Sequence, residues 1–220
     1  MWNETIIKML LTGILESLYM TLLSSLIAYI IGLPMGILLV VTDKDGIAPA
    51  VVFNKVLGII VNIIRSVPFV ILLIAVMPVT RAIIHTTLGP NAIVIPLIIG
   101  SAPYIARLVE SSLKEVDHGV IEAAQSMGTP PSKIIFKVLI PEAMPSLIMG
   151  GAIAVITILS YSAMSGFVGG GGLGSIAINY GYYRYKTDIM LVTIIILVLI
   201  VQAFQELGVW WMKRSDKRIS

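Results

Sequence analysis

The chain contains no cysteine, so it can build neither a disulfide framework nor a thiolate-ligated metal site. Charge is scarce as well: 12% of the 220 residues are Asp, Glu, Lys or Arg, against roughly a quarter in soluble proteins. From Ala143 to Tyr183 there is no charged residue at all. With 57% hydrophobic residues and a mean hydropathy of +0.98, this is the composition of an integral membrane protein. The length suits one membrane domain, residues 1–220, and leaves nothing over for a soluble one. No G-x-x-x-x-G-K-[ST] run occurs, which excludes ATP binding and hydrolysis by this chain alone. A net charge of +3 with a pI near 9.1 is no argument for a nucleic-acid partner, because Lys and Arg in membrane proteins mostly mark cytoplasmic loops.

What is abundant is long apolar sequence. A spanning helix needs about 20 mostly apolar residues, and five segments meet or approach that length, which predicts an all-α, five-helix membrane fold. The first, Ser17 to Val41, carries no charge. The second is expected as one helix from about Val56 to Val79 with Arg65 inside it, since starting after Arg65 leaves too few residues before Arg81 to cross. The third, about Leu88 to Leu108, contains Pro96 and Pro103. The fourth runs from near Pro141 to about Phe167, where Gly169 to Gly172 and Gly174 supply a break. The fifth, about Ile189 to Met212, ends in the interfacial pair Trp210-Trp211. Met1-Trp2-Asn3-Glu4-Thr5 is acidic early and lacks a small-residue cleavage site, so it does not read as a removable signal peptide.

Basic residues set the expected orientation. With the N-terminus outside, Lys44, Lys55, Arg107, Lys114, Lys133, Lys137, Lys213, Arg214, Lys217 and Arg218 face the cytoplasm. Lys8, Arg81, Arg184 and Lys186 face outward, and this ten-to-four asymmetry selects N-out, C-in. His85 and His118 then fall on opposite sides, which excludes a metal or acid–base pair built from them. A polar segment of about 117–138 becomes cytoplasmic. Within it Val120 to Met127 is helix-competent, with Asp117 near its start and Gly128 able to end it in a left-handed turn. Thr129-Pro130 reads as an N-cap and first-turn proline for a second short helix along the membrane surface.

Several motifs have plain readings. Gly169, Gly171 and Gly174 match a dinucleotide fingerprint only because the run is glycine-rich; with no preceding strand, a flexible re-entrant or loop segment on the external side is the better reading. Gly32 and Gly36 form G-x-x-x-G, whose ordinary meaning is close helix packing. Arg65 inside a span costs about 2.5–3.5 kcal/mol, so it either snorkels to the cytoplasmic edge or faces the bundle interior. Tyr161-Ser162-Ala163-Met164-Ser165-Gly166 closes the fourth span with small and polar residues that either glue helices together or line a path. Met164 either packs or acts as a gate, since its flexible thioether can close a narrow path and rearrange to open it.

Glu122-Ala123-Ala124, then three residues, Gly128, nine residues and Val138-Leu139-Ile140-Pro141 resembles the EAA loop of ATP-binding-cassette importer permeases. Val138 and Ile140 stand where that pattern usually has Ile and Leu, and both keep the apolar character. Four further blocks resemble the methionine-type branch: Arg65-Ser66-Val67-Pro68-Phe69, Ala102-Pro103-Tyr104-Ile105-Ala106-Arg107, Tyr161-Ser162-Ala163-Met164, and Gly169-Gly170-Gly171-Gly172-Leu173-Gly174 followed by Asn179-Tyr180-Gly181-Tyr182.

The resemblance implies a methionine importer's permease subunit in a bacterial cytoplasmic (inner) membrane. It implies a homodimer, two ABC ATPase subunits that bind ATP and Mg, and an extracytoplasmic methionine-binding lipoprotein. No cofactor on this chain, no catalysis by it and no nucleic acid are implied. Glu122, Ala123, Ala124, Gly128 and Pro130 would couple to the ATPase, and Tyr161, Ser162, Met164 and Ser165 would line the path or gate, where two such helices of the dimer could meet. The substrate would be L- and D-methionine. A permease for another small amino acid or short peptide is the runner-up. A self-sufficient secondary transporter, which needs an intramembrane ionisable group, is disfavoured by spans read as free of Asp, Glu and His; a structural or assembly protein would carry no flux.

Overall fold

The computed structural model describes residues 4–216. Met1 to Asn3 of the N-terminus, and Lys217 and Arg218 of the basic count, lie outside the described residues. No strand occurs among the described residues, as expected where every backbone group must find its partner inside the chain. The elements are α1 (Glu4–Val41), α2 (Val51–Ser66), α3 (Phe69–Ile84), α4 (Pro90–Lys114), α5 (His118–Ser126) and α6 (Pro131–Ile134). A π-helical turn, Ile135–Leu139, leads into α7 (Ile140–Glu142) and then α8 (Met144–Met164). A 3-10 turn, Ser165–Val168, precedes α9 (Gly172–Ile176), a second π turn, Ala177–Tyr182, and α10 (Thr187–Ser215). α1, α4, α8 with its 3-10 turn, and α10 are long and apolar enough to cross a membrane; α2 and α3 meet that test only together, as one broken span or as a re-entrant loop.

The second span is thus not the single helix expected over Val56 to Val79. It breaks between Ser66 and Phe69, with a bend of 106°. Pro68 pushes Val67 out of the helical region, and the Ser66 hydroxyl donates to the Asn62 carbonyl at 2.8 Å. The Pro68 carbonyl then opens α3 by accepting from Ile71 and Leu72 N–H at 2.9 and 3.0 Å. Arg65 occupies the last turn of α2, so it does lie in a helix, but one that ends directly after it.

The first helix starts at Glu4, not Ser17, because nothing between them breaks it. Its 38 residues make a rod of about 57 Å at ~1.5 Å each, well beyond a hydrocarbon core of about 30 Å. Glu16 therefore lies within α1, Glu110 within α4 and Glu206 within α10. The expectation of spans free of acidic residues fails, because it placed span ends at charges that the helices run past and overlooked Glu206.

The chain divides into two compact units, each drawn from three stretches: 1–28, 67–101 and 154–205 in one, and 29–66, 102–153 and 206–220 in the other. The core of the first holds Leu10, Leu173, Ile176 and Ile189, with Ile6, Met9, Ile14 and Val192 packed against them. In the second, Leu39, Val61 and Ala106 pack with Met35 and Leu57. There the G-x-x-x-G reading holds. A Cβ on Gly32 would sit 2.7 Å from the Ala102 carbonyl oxygen, and one on Gly36 2.6 Å from that of Ala106. α1 and α4 meet backbone to backbone along this seam. Gly36→Leu is expected to destabilise the protein by about 1–3 kcal/mol, read as a lower thermal midpoint in detergent. Gly58→Ala, whose Cβ would meet nothing closer than 3.6 Å, should be neutral or up to ~1 kcal/mol stabilising.

Candidate functional site

The polar segment after α4 folds as a helix, a sharp turn and a second helical run. The Asp117 carboxylate caps α5 by accepting from Gly119 N–H at 2.6 Å. At the other end Gly128 takes φ +70, which lets Gly128 N–H donate to Gln125 O at 2.9 Å and Thr129 N–H to Ala124 O at 3.2 Å. These two bonds make a Schellman close, in which glycine supplies the left-handed residue. A Cβ at Gly128 would meet nothing within 4 Å, so conformation rather than space requires glycine there. The second helix starts one residue later than the sequence suggested: Pro130 is the extended cap residue and Pro131 the first helical one. Pro130 is steered to the extended region by the proline that follows it, and so takes the cap role from Thr129. The run widens to a π turn over Ile135–Leu139 just before Pro141, whose missing N–H cannot continue regular α-bonding.

α5 offers an outward face. Glu122, Ala123, Gly128 and Pro130 are exposed, whereas Ala124 turns inward against the fold. Two residues that sequence reasoning missed stand out on this segment, Met127 at 78% exposure and Phe136 at 68%. For Met127 the available signal was a large apolar side chain beside Gln125, Ser126 and Gly128; Phe136 lies in an apolar run and gave none. A cavity of about 410 Å³ lies beside the helix, lined by Asp43, Asp45, Lys114, His118, Glu122 and Gln125 with apolar neighbours.

The residues at the end of α8 are not buried alike. Ser162 and Ser165 are buried and donate to the carbonyls of Leu159 at 2.7 Å and Ser162 at 2.6 Å. Met164 is exposed, and the half-buried Tyr161 ring stacks on Phe69, with centroids 4.3 Å apart and planes within 4°. The four thus differ in setting: Met164 is exposed, Tyr161 lies half-buried against Phe69, and the two serines are buried.

The glycine-rich break is an anchored turn rather than a free loop. Gly169, Gly171 and Gly172 all have positive φ. Gly172 N–H donates to the Glu16 carboxylate at 2.6 Å, Leu173 N–H to the Ser17 hydroxyl at 2.9 Å, and Gly171 N–H to the Ser175 hydroxyl at 3.0 Å. Glu16 and Ser17 were missed as partners of this turn, being 156 residues away in sequence. Arg65 holds its guanidinium 6.0 Å from the ring centroid of Tyr104, a cation–π distance.

Residues 32–220 match the family model described as the inner membrane component of binding-protein-dependent transport systems. The chain is 46% identical to the probable D-methionine transport system permease protein MetI of Vibrio cholerae, over 99% of this chain and 96% of that protein. It is 45% identical to the methionine import system permease protein MetP of Bacillus subtilis, over 82% of each. Its fold superposes on a chain of the MetNI methionine ABC transporter, solved in inward-facing conformations, with a TM-score of 0.96 and 41% identity, covering 98% of this chain and 100% of that one. With its spans, its capped polar segment and matches of this extent, the chain belongs to the family of binding-protein-dependent transport system inner membrane components.

Proposed function

We propose that this chain is the permease subunit of an ATP-driven importer that takes up methionine, in both L and D forms, across the cytoplasmic membrane. The observation that carries this reading is the near full-length similarity to permeases named for methionine transport. In this reading the protein works as a homodimer on two ATPase subunits that bind ATP and Mg, is fed from outside by a methionine-binding lipoprotein, and performs no catalysis itself. The presence of Glu16, Glu110 and Glu206 within helices removes the sequence argument against a secondary carrier, so the energy source needs its own test. Vesicles holding the assembled complex with its binding protein should accumulate labelled methionine only with ATP. Accumulation after the ATPase subunit is left out would overturn the reading.

The ten-to-four basic asymmetry supports an N-out, C-in orientation that places α5 and α6 in the cytoplasm. Reporter fusions at Lys44, Ser132 and the C-terminus should then report cytoplasm and one at Tyr183 the outside. A cytoplasmic Tyr183 contradicts that orientation.

In this reading Glu122, Ala123, Ala124, Gly128 and Pro130 form the coupling segment, with Met127 and Phe136 as added apolar contacts. The exposure of α5 and its defined ends support a rigid docking element. A valine at position 128 would be forced to positive φ. Gly128→Val is expected to lower uptake roughly tenfold or more, the factor that about 1.4 kcal/mol of strain supplies. Gly128→Asn, which tolerates that conformation, should keep most activity. Normal transport by the valine variant would remove the turn from the mechanism.

Tyr161, Ser162, Met164 and Ser165 are assigned to the path or gate, and the exposure of Met164 favours it as the member that meets substrate or the second subunit. Met164→Ala should change transport, or raise basal ATP hydrolysis by the assembled complex, with little loss of thermal stability. Lower stability with unchanged transport per molecule would instead identify a packing residue.

A further inference from the structure

The end of α4 carries a chain of charges that the sequence did not single out. Glu110 sits at its centre and uses both carboxylate oxygens. One accepts from the Arg107 guanidinium, and the other from the Lys114 ammonium at 2.9 Å. Arg107 reaches onward to α2, donating to the Asn62 side-chain oxygen at 2.8 Å and the Gly58 carbonyl at 3.2 Å. Lys114 reaches onward to Asp43, in the turn after α1, at 3.5 Å. The inner members are shielded, with 24% and 13% of the Arg107 and Glu110 side chains exposed, while Lys114 and Asp43 are 49% and 40% exposed.

We propose that Glu110 is a positioning residue of the transport cycle: by holding Arg107 and Lys114 together it joins α2, the end of α4 and the Asp43 turn into one body that moves with α5. Three features support this. The network joins three segments through side chains of one helical stretch spaced i, i+3 and i, i+4. Only residues 115–117 separate Lys114 from α5, a link too short to absorb much displacement. Asp43 and Lys114 also line the cavity beside α5 together with His118, Glu122 and Gln125. A push on α5 therefore meets α4 and the α1–α2 turn at once. Shielded ion pairs suit such a joint because their directional bonds fix geometry, whereas apolar contacts between smooth helices permit sliding.

The proposal rests on the reading of the chain as an ATP-driven importer, and the assay uses that complete complex with its ATPase subunits and binding protein in vesicles. Glu110→Gln keeps the shape but removes the charge that both cations share. Methionine taken up per ATP hydrolysed is expected to fall about tenfold, with ATP hydrolysis itself within about twofold of the unaltered complex. Because that change also leaves Arg107 poorly compensated in a shielded place, Lys114→Met provides the second arm. It removes the links to Asp43 and Glu110 but leaves the Arg107–Glu110 pair in place, and is expected to lower the uptake-to-hydrolysis ratio about threefold with no change in melting temperature. Glu110→Gln with Lys114→Met should be no worse than Glu110→Gln alone, since Glu110 is the shared member. Unchanged ratios in both variants would overturn the proposal. So would uptake and hydrolysis falling in parallel with the amount of assembled complex, the signature of a purely structural role. Failure of the unaltered complex to take up methionine with ATP would instead refute the importer reading, so the two failures are distinguishable.

Discussion

A peptide N–H or carbonyl without a partner in hydrocarbon costs several kcal/mol, and the places where this chain stops being helical are the places where it supplies polar side chains. Glu16, Ser17 and Ser175 take the N–H groups of the glycine-rich turn. The Asn54 side chain donates to the Leu39 carbonyl at 2.6 Å and to the Thr42 hydroxyl at 3.1 Å, where α1 ends. The Ser66 hydroxyl bonds back to the Asn62 carbonyl at the end of α2, and the Pro68 carbonyl accepts the first N–H groups of α3. Scarce polar residues in an apolar chain are thereby concentrated at breaks, and the breaks are the irregular features on which a transport mechanism can act.

The same economy explains how α5 is held. Apolar packing between helices gives little specificity when lipid tails are equally apolar. Orientation near α5 comes instead from small-residue contacts, Gly32 and Gly36 against the carbonyls of Ala102 and Ala106, and from the Arg107–Glu110–Lys114 charges. α5 follows from the end of that same α4 and is bounded by a carboxylate cap and a glycine close. Its ends are therefore defined by hydrogen bonds, while Glu122 and Ala123 on its outward face are exposed.

Much of this was legible because it is local chemistry. The Asp117 cap and the left-handed Gly128 depend on residues within a few positions, the Gly32/Gly36 spacing marks a packing face although its partners on α4 are distant in sequence, and the all-helical class follows from hydropathy alone. The break in the second span was not legible for a physical reason. Pro34, Pro78, Pro96 and Pro103 all sit inside continuous helices, and only Pro68, with Ser66 bonding back to Asn62, ends one. An isolated proline in an apolar run does not say which it will do. The start of α6 was readable in principle, since the first of two adjacent prolines is biased to the extended region. The bond from Gly172 to Glu16 joins residues too distant in sequence for any local rule, and the end of α8 carried no pattern that separated its buried serines from the exposed Met164.

The central claim is that α5 is the element through which an ATPase partner acts on the membrane helices. The absence of cysteine makes a direct measurement clean, because a single introduced thiol has no background. Ala123→Cys places it on the exposed face of α5. In the assembled, transport-competent complex, a short bifunctional thiol reagent should join position 123 to a cysteine introduced in the partner's docking groove, with a yield that changes when ATP is added. A complex that transports methionine while position 123 stays freely reactive toward a bulky thiol probe, uncrosslinked and insensitive to ATP, would contradict the claim.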